Sequence, residues 1–367
     1  MKRYFAFLFV GLFISCGSDE PAGKITPSNL TLNATISTDG SGLVTFVAKA
    51  DNAVKYNYFF GESTADPLFE SIDGSAKHTY LNTNTFTVTV VAYSSDNLFI
   101  NKELIVSVDV KEPVISDVGF STPLTYPNMT LVWQDEFSGN ELNPVNWTHE
   151  TGNGVGGWGN NELQFYKAEN TSVQDGYLVI KAKKEAGSGV NYTSSRIITK
   201  GKKEFKYGRV DIRAILPKGQ GIWPALWMLG SNFNDVGVGW PKCGEIDIME
   251  LVGGNAAGKN DKIYGTVHWD NAGSYASYGG NKTLTNGKIF ADEFHVFSLV
   301  WDDKFIRWYL DDVQYHVIDI SPSELSEFQA KFFFIFNVAV GGNWPGIPDG
   351  TTVLPQRMVV DYVRVFQ

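Results

Sequence analysis

Three carboxylates fall within six residues in Glu245-Ile246-Asp247-Ile248-Met249-Glu250. Isoleucines between acids indicate a β-strand, and strand alternation puts Glu245, Asp247 and Met249 on one face and Glu250 on the other. A β-bulge that absorbs Met249 as an extra residue returns Glu250 to the face of Glu245 and Asp247, and bulges serve this re-aiming beside active sites. Four effective steps of about 3.3 Å then separate the Cα atoms of Glu245 and Glu250 by roughly 12–13 Å. Two glutamates leaning together over that span bring their carboxyls to roughly 5–5.5 Å. At that separation one carboxylate attacks an anomeric carbon while the other protonates the leaving oxygen, with retention of configuration. Asp247, between them, is placed to hydrogen-bond Glu245 and to hold a proton or charge that drives the two glutamates' pKa values apart. A merely solvated strand face would stack like charges at a cost and for no return.

The neighbours of the acids favour a sugar. Gly221-Ile222-Trp223-Pro224-Ala225-Leu226-Trp227 and Gly239-Trp240-Pro241 lie upstream, and Gly265-Thr266-Val267-His268-Trp269 lies downstream. Aromatic residues make up 14% of the chain, so most rings must fill a core; those gathered around the acids are expected to line a cleft and stack on pyranose faces. A formal charge of −10 excludes nucleic acid as a partner, because phosphates demand basic patches. A neutral glycan is indifferent to that charge.

From about Leu131 to Gln367 the chain resembles glycoside hydrolase family 16, in particular its bacterial laminarinase-like β-1,3-glucanases. The ordered motifs that carry the resemblance are Trp133-Gln134-Asp135-Glu136-Phe137, Trp158-Gly159-Asn160-Asn161-Glu162-Leu163-Gln164-Phe165-Tyr166, Ser195-Arg196, Tyr207-Gly208-Arg209, Trp223 to Trp227, the acidic hexad, His268-Trp269 and Asn337 to Gly346. The resemblance implies that Glu245 is the nucleophile, Asp247 its assistant and Glu250 the acid/base, in a jelly-roll sandwich with a concave cleft. It further implies that Asn161 and Glu162 hydrogen-bond sugar hydroxyls, that Arg196 donates in the minus subsites, and that His268 lies near the acid/base and the plus subsite. Trp223, Trp227, Trp240 and Trp269 complete the expected β-glucan-binding set. Glu136, Gly176 and Asp361 match positions where relatives hold a structural Ca²⁺ through carbonyls and a carboxylate; catalysis itself needs no cofactor. The inserted Met249 sets the chain with laminarinases and galactan hydrolases, apart from lichenases that lack the bulge. A hydrolase or transglycosylase of mixed-linkage glucan or of an agarose- or carrageenan-type galactan would keep the same acids. A non-catalytic glycan-binding lipoprotein would be expected to have lost one.

The elements that position these residues read as strands throughout. Phe297-Ser298-Leu299-Val300-Trp301, Arg307-Trp308-Tyr309-Leu310 and Met358 to Val365 alternate between apolar and polar, with Asp and Gly turns between such runs, and only Ser321 to Glu327 reads as helix. The fold class is all-β, with two antiparallel sheets forming the catalytic domain over 128–367. Residues 27–112 carry a second set of short alternating runs and read as a small immunoglobulin-like sandwich. Its Tyr58-Phe59-Phe60-Gly61-Glu62 and His78-Thr79-Tyr80 are similar to a polycystic-kidney-disease-type domain. Residues 113–127, with three prolines, are expected to be a linker. At the start, Lys2-Arg3 precedes an apolar run too short to span a membrane and then Ser15-Cys16. This resembles a lipoprotein signal over 1–15 that leaves Cys16 lipidated, with 16–26 as a tether. The following Gly17-Ser18-Asp19-Glu20 resembles an export tag to the outer face of a Gram-negative outer membrane. Cys243 then has no disulfide partner and reads as a small buried residue. A monomer is expected.

Overall fold

The computed structural model describes residues 24–62, 68–80, 83–111, 114–187 and 190–367. The segments read as signal and lipidation site, Cys16 included, lie outside them. The chain divides into two units between Val114 and Ile115. Among the described residues no helix is long and apolar enough to cross a membrane.

The first unit is a β-sandwich. One sheet pairs β1 (Ser28–Ile36), β2 (Leu43–Asp51) and β5 (Ser75–Thr79); the other runs β4 (Phe69–Ser71), β3 (Lys55–Phe59), β6 (Asn84–Tyr93) and β7 (Phe99–Val108). The alternation along β6 explains the packing: Phe86, Val88, Val90 and Ala92 point inward to meet Val44, Phe46 and Ala48 of β2, while the threonines between them face solvent.

The second unit stacks two sheets, antiparallel throughout except for one parallel pair at the edge of the outer sheet. The cleft sheet runs β20 (Ser274–Thr283), β19 (Lys262–Asn271), β18 (Glu245–Leu251), β17 (Ile222–Gly230), β24 (Phe332–Val340), β14 (Arg196–Ile198) and β9 (Thr148–Glu150), with β15 (Glu204–Phe205) also on β24. The outer sheet runs β10 (Gln164–Tyr166), β13 (Val190–Ser194), β12 (Tyr177–Gly187), β25 (Gln356–Phe366), β16 (Gly208–Ile215), β21 (His295–Trp301), β22 (Phe305–Leu310) and β23 (Val313–Asp319), with β11 (Thr171–Gln174) on β12 and β8 (Leu131–Asp135) on β25. Central β24, Phe-Phe-Phe-Ile-Phe-Asn-Val-Ala-Val, is buried along its whole length, as a strand covered on both faces must be. Phe332, Phe334, Phe336, Val338 and Val340 enter the sandwich core, and Asn337 and Ala339 are left to floor the cleft. The expected helix is a short 3₁₀ segment, Ser323–Gln329.

The expected linker is corrected by the structure. Ile115 onward belongs to the second unit. Phe120 N donates to Phe294 O at 2.9 Å, Thr122 N to the Tyr362 hydroxyl at 2.8 Å, and the Tyr126 hydroxyl to Asp211 at 2.7 Å. Arg213 donates to the carbonyls of Phe120 and Asp117 at 2.7 and 2.8 Å and to the Asp117 carboxylate. Prolines deny this segment a regular strand, but side chains from distant strands pin it down.

Candidate active site

The acids sit on β18, and the register shows how. On β19, Thr266 faces Asp247 and Tyr264 faces Glu250, so Ile248 and Met249 together oppose Gly265. On the other side, Leu226 pairs with Met249 and Trp227 with Asp247, which leaves Ile248 unmatched. The bulge lies where the sequence predicts it, centred on Ile248-Met249, and both residues are buried in the core. Glu245, Asp247 and Glu250 all line one cleft of about 930 Å³.

Each glutamate is held by one indole. Trp240 Nε1 donates to Glu245 Oε2 at 3.0 Å, and Trp223 Nε1 donates to Glu250 Oε1 at 2.9 Å. His268, directly opposite Glu245 on β19, puts Nε2 at 3.0 Å from Asp247 Oδ2 and 3.7 Å from Glu245 Oε1; its Nδ1 is 2.8 Å from the Tyr275 hydroxyl. All three carboxyls are pushed up to about 8, Asp247 by burial and the two glutamates by burial first and then by neighbouring carboxylates, against opposing pulls on the glutamates from His268 and the indole N–H groups. Near neutral pH the triad therefore holds protons in place of a counter-cation.

Across β17, β24 and β14 the cleft continues toward Arg196. Its guanidinium lies 4.5 Å from the Trp158 ring and 4.9 Å from the Trp227 ring and pairs with Glu150. Beneath them a buried chain fixes the wall. Trp227 Nε1 donates to Asn337 Oδ1 at 2.8 Å, Asn337 Nδ2 to the Tyr166 hydroxyl at 3.1 Å, and that hydroxyl to Glu162 Oε2 at 3.1 Å. Polar groups tied this way keep an aromatic platform in one rotamer.

Of the residues expected to bind substrate, Glu162, Arg196, Trp223, Trp227, Trp240 and His268 line the cleft. Trp269 does not: it follows His268 on a strand, so alternation turns it to the other face, where it packs against Phe328. Asn161 also stays off the cleft wall, exposed and bonded to Asn343 at 2.9 Å, while Asn160 takes the wall position. Residues added by the structure are Trp158, Tyr264, Tyr275, Asn337 and Trp344. Trp158, Asn337 and Trp344 fall within the quoted motifs; Tyr275 and Tyr264 carry no sequence signal beyond their closeness to His268. Cys243 is buried, its thiol pushed up to about 12 by burial, and is inert.

Two metal questions arise. Glu245, Asp247 and His268 bring ligand atoms within 4.8 Å of one another, but the hydrogen bonds above already account for that convergence. At the expected calcium position, the Glu136 carboxylate is held by Arg364 at 2.7 and 2.8 Å, and Asp361 Oδ2 by Arg213 at 2.7 Å. These bonds leave main-chain carbonyls and the second Asp361 oxygen, the donor types the resemblance implies, beside two guanidiniums.

The profile described as glycosyl hydrolases family 16 matches residues 159–364. A second, for beta-glucan synthesis-associated proteins of the SKN1/KRE6/Sbg1 type, matches residues 75–239. A beta-glucanase of Rhodothermus marinus is 40% identical over 66% of this chain and 86% of its own length. The glucan endo-1,3-beta-glucosidase A1 of Niallia circulans is 37% identical over 74% of this chain and 43% of its own, and the clotting factor G alpha subunit of Tachypleus tridentatus 40% identical over 66% and 34%. The chain thus spans less than half of those last two relatives. Among solved structures, the catalytic domain of a Thermotoga petrophila endo-1,3-beta-glucanase (laminarinase) superposes with a TM-score of 0.60 at 47% identity, covering 65% of this chain and 98% of that one. With its acids, fold and profile match in agreement, the chain belongs to glycosyl hydrolase family 16.

Proposed function

We propose that the chain is a retaining endo-β-1,3-glucanase acting on laminarin-type glucan. One observation carries the reading: Glu245 and Glu250 face one cleft from either side of Asp247, each with one oxygen held by an indole. Glu245, as the ionised member of the coupled set, attacks the anomeric carbon through Oε1, while the proton on Glu250 passes to the leaving oxygen. Glu250, now a carboxylate, takes a proton from water, which displaces Glu245 and restores the β configuration. Asp247, hydrogen-bonded to His268 Nε2, holds a proton or a charge beside Glu245 while the charge on that carboxyl is lost and regained. Relatives and neighbouring structures named as laminarinases and endo-1,3-beta-glucosidases support the linkage. A reducing-sugar assay on laminarin, mixed-linkage glucan, agarose and carrageenan tests it. Laminarin should be turned over fastest, and a faster galactan would move the chain to another specificity.

The first sandwich, as a polycystic-kidney-disease-type spacer, would hold the enzyme away from a membrane to which Cys16 is lipidated, on the outer face of the outer membrane. Cys16→Ala should release the protein from membranes; unchanged membrane association would remove the anchor from the account.

A further inference from the structure

The acids depend on a bulge, and the bulge is reached from the opposite sheet. Trp308 projects inward from β22, is fully buried, and donates its Nε1–H to the main-chain carbonyl of Asp247 at 2.8 Å. Two glycines make this approach feasible. A Cβ on Gly265, the residue facing the bulge, would lie 2.4 Å from Trp308 Cδ1 and 2.7 Å from its Nε1. Gly280, paired with Gly265 on β20, would place a Cβ 2.5 Å from the His316 ring, which packs on Trp308 at 4.9 Å. The pair opens a window in the cleft sheet through which the outer sheet touches the backbone of the catalytic strand. A bulge interrupts its own ladder, and a buried carbonyl there needs a donor from elsewhere.

We propose that Trp308 is a positioning residue for the reaction: its N–H locks the bulge register that turns Asp247 and Glu250 together into the cleft. This rests on the reading that Glu245, Asp247 and Glu250 carry hydrolysis. A buried indole also stabilises any core, so the test needs a matched control. Trp301, on neighbouring β21, is 3% exposed and donates its Nε1–H to Phe328 O at 3.1 Å, with no bond to the catalytic strand. Trp308→Phe and Trp301→Phe each remove one buried N–H and part of a ring. If Trp308 positions the bulge, both variants melt lower than wild type, but Trp308→Phe alone loses kcat on laminarin, by roughly 10- to 100-fold, with KM within about twofold. Equal kcat in the two variants overturns the proposal. Should Trp308→Phe fail to fold, 3-benzothienylalanine at position 308 keeps the indole shape without the N–H; unchanged kcat there also overturns it. Wild-type turnover of laminarin is measured first: its absence counts against the proposed function, whereas an active wild type with an unaffected variant counts against Trp308 alone.

Discussion

On the outer sheet, Asp211, Asp361 and Glu136 each face a guanidinium, from Arg209, Arg213 and Arg364; on the cleft sheet, Glu245, Asp247 and Glu250 face one another and a histidine. Both sheets place acids at least partly out of bulk water. The outer sheet neutralises its acids with fixed cations that also bind the chain entering the unit, so those charges are structural. The cleft sheet neutralises its acids with protons, which can be given away and taken back. Arg196, a cation on the cleft sheet, is committed to Glu150 and to two indoles.

The sharpest way to break this contrast is to exchange single acids for amides. Glu245→Gln and Glu250→Gln should each lower kcat on laminarin by roughly 10³-fold or more while circular dichroism stays native; activity within tenfold of wild type in either would end the assignment. Azide should rescue a Glu245→Ala variant with an α-configured glycosyl azide. On the outer sheet the order reverses: Arg213→Ala, which strands two acids and two carbonyls, should cost about 3–5 kcal/mol in denaturant unfolding and leave kcat of the folded fraction near wild type. A catalytic unit starting at Ile115 keeps the Arg213 partners and should match the full chain in melting temperature and turnover. One starting at Tyr126 loses Asp117, Phe120 and Thr122 and should be less stable by about 2–3 kcal/mol.

A subtler contrast lies in pH. The cleft carboxyls are raised to about 8, so between their unfolded values near 4 and about 8 the folded state holds protons that the unfolded chain has released. Stability from these groups is therefore complete at low pH and is lost as pH rises through about 8. Glu245→Gln removes one such group and should unfold at higher denaturant than wild type at pH 9, by on the order of 1–2 kcal/mol, with the gap closing at pH 5. The smallest effect concerns metal. Because arginines already balance Glu136 and Asp361, calcium or a chelator should shift the melting temperature by no more than about 1 °C; a rise of several degrees with calcium would show that a cation completes this corner.

Much of this was legible in the amino-acid order because it is local. The bulge follows from one extra residue between acids, and the strands follow from alternation. Alternation also separates His268 from Trp269, a rule that applies as strictly to a resembled motif as to any strand. What could not be read is tertiary. The prolines of 113–127 argue against a ladder, but nothing near them reveals that Arg213, Tyr362 and Arg364 reach back to hold the segment. Tyr275 enters the site only because the β19–β20 hairpin folds it over His268, and Gly265 and Gly280 acquire a role only once the second sheet is in place.

The account stands most directly on which carboxylate becomes covalently bonded to sugar. Incubation with an activated 2-deoxy-2-fluoro-β-laminaribioside, followed by peptide mapping by mass spectrometry, should find one sugar adduct per chain, on Glu245. Label on Glu250 or Asp247, or turnover of the reagent with inversion and no adduct, would contradict it.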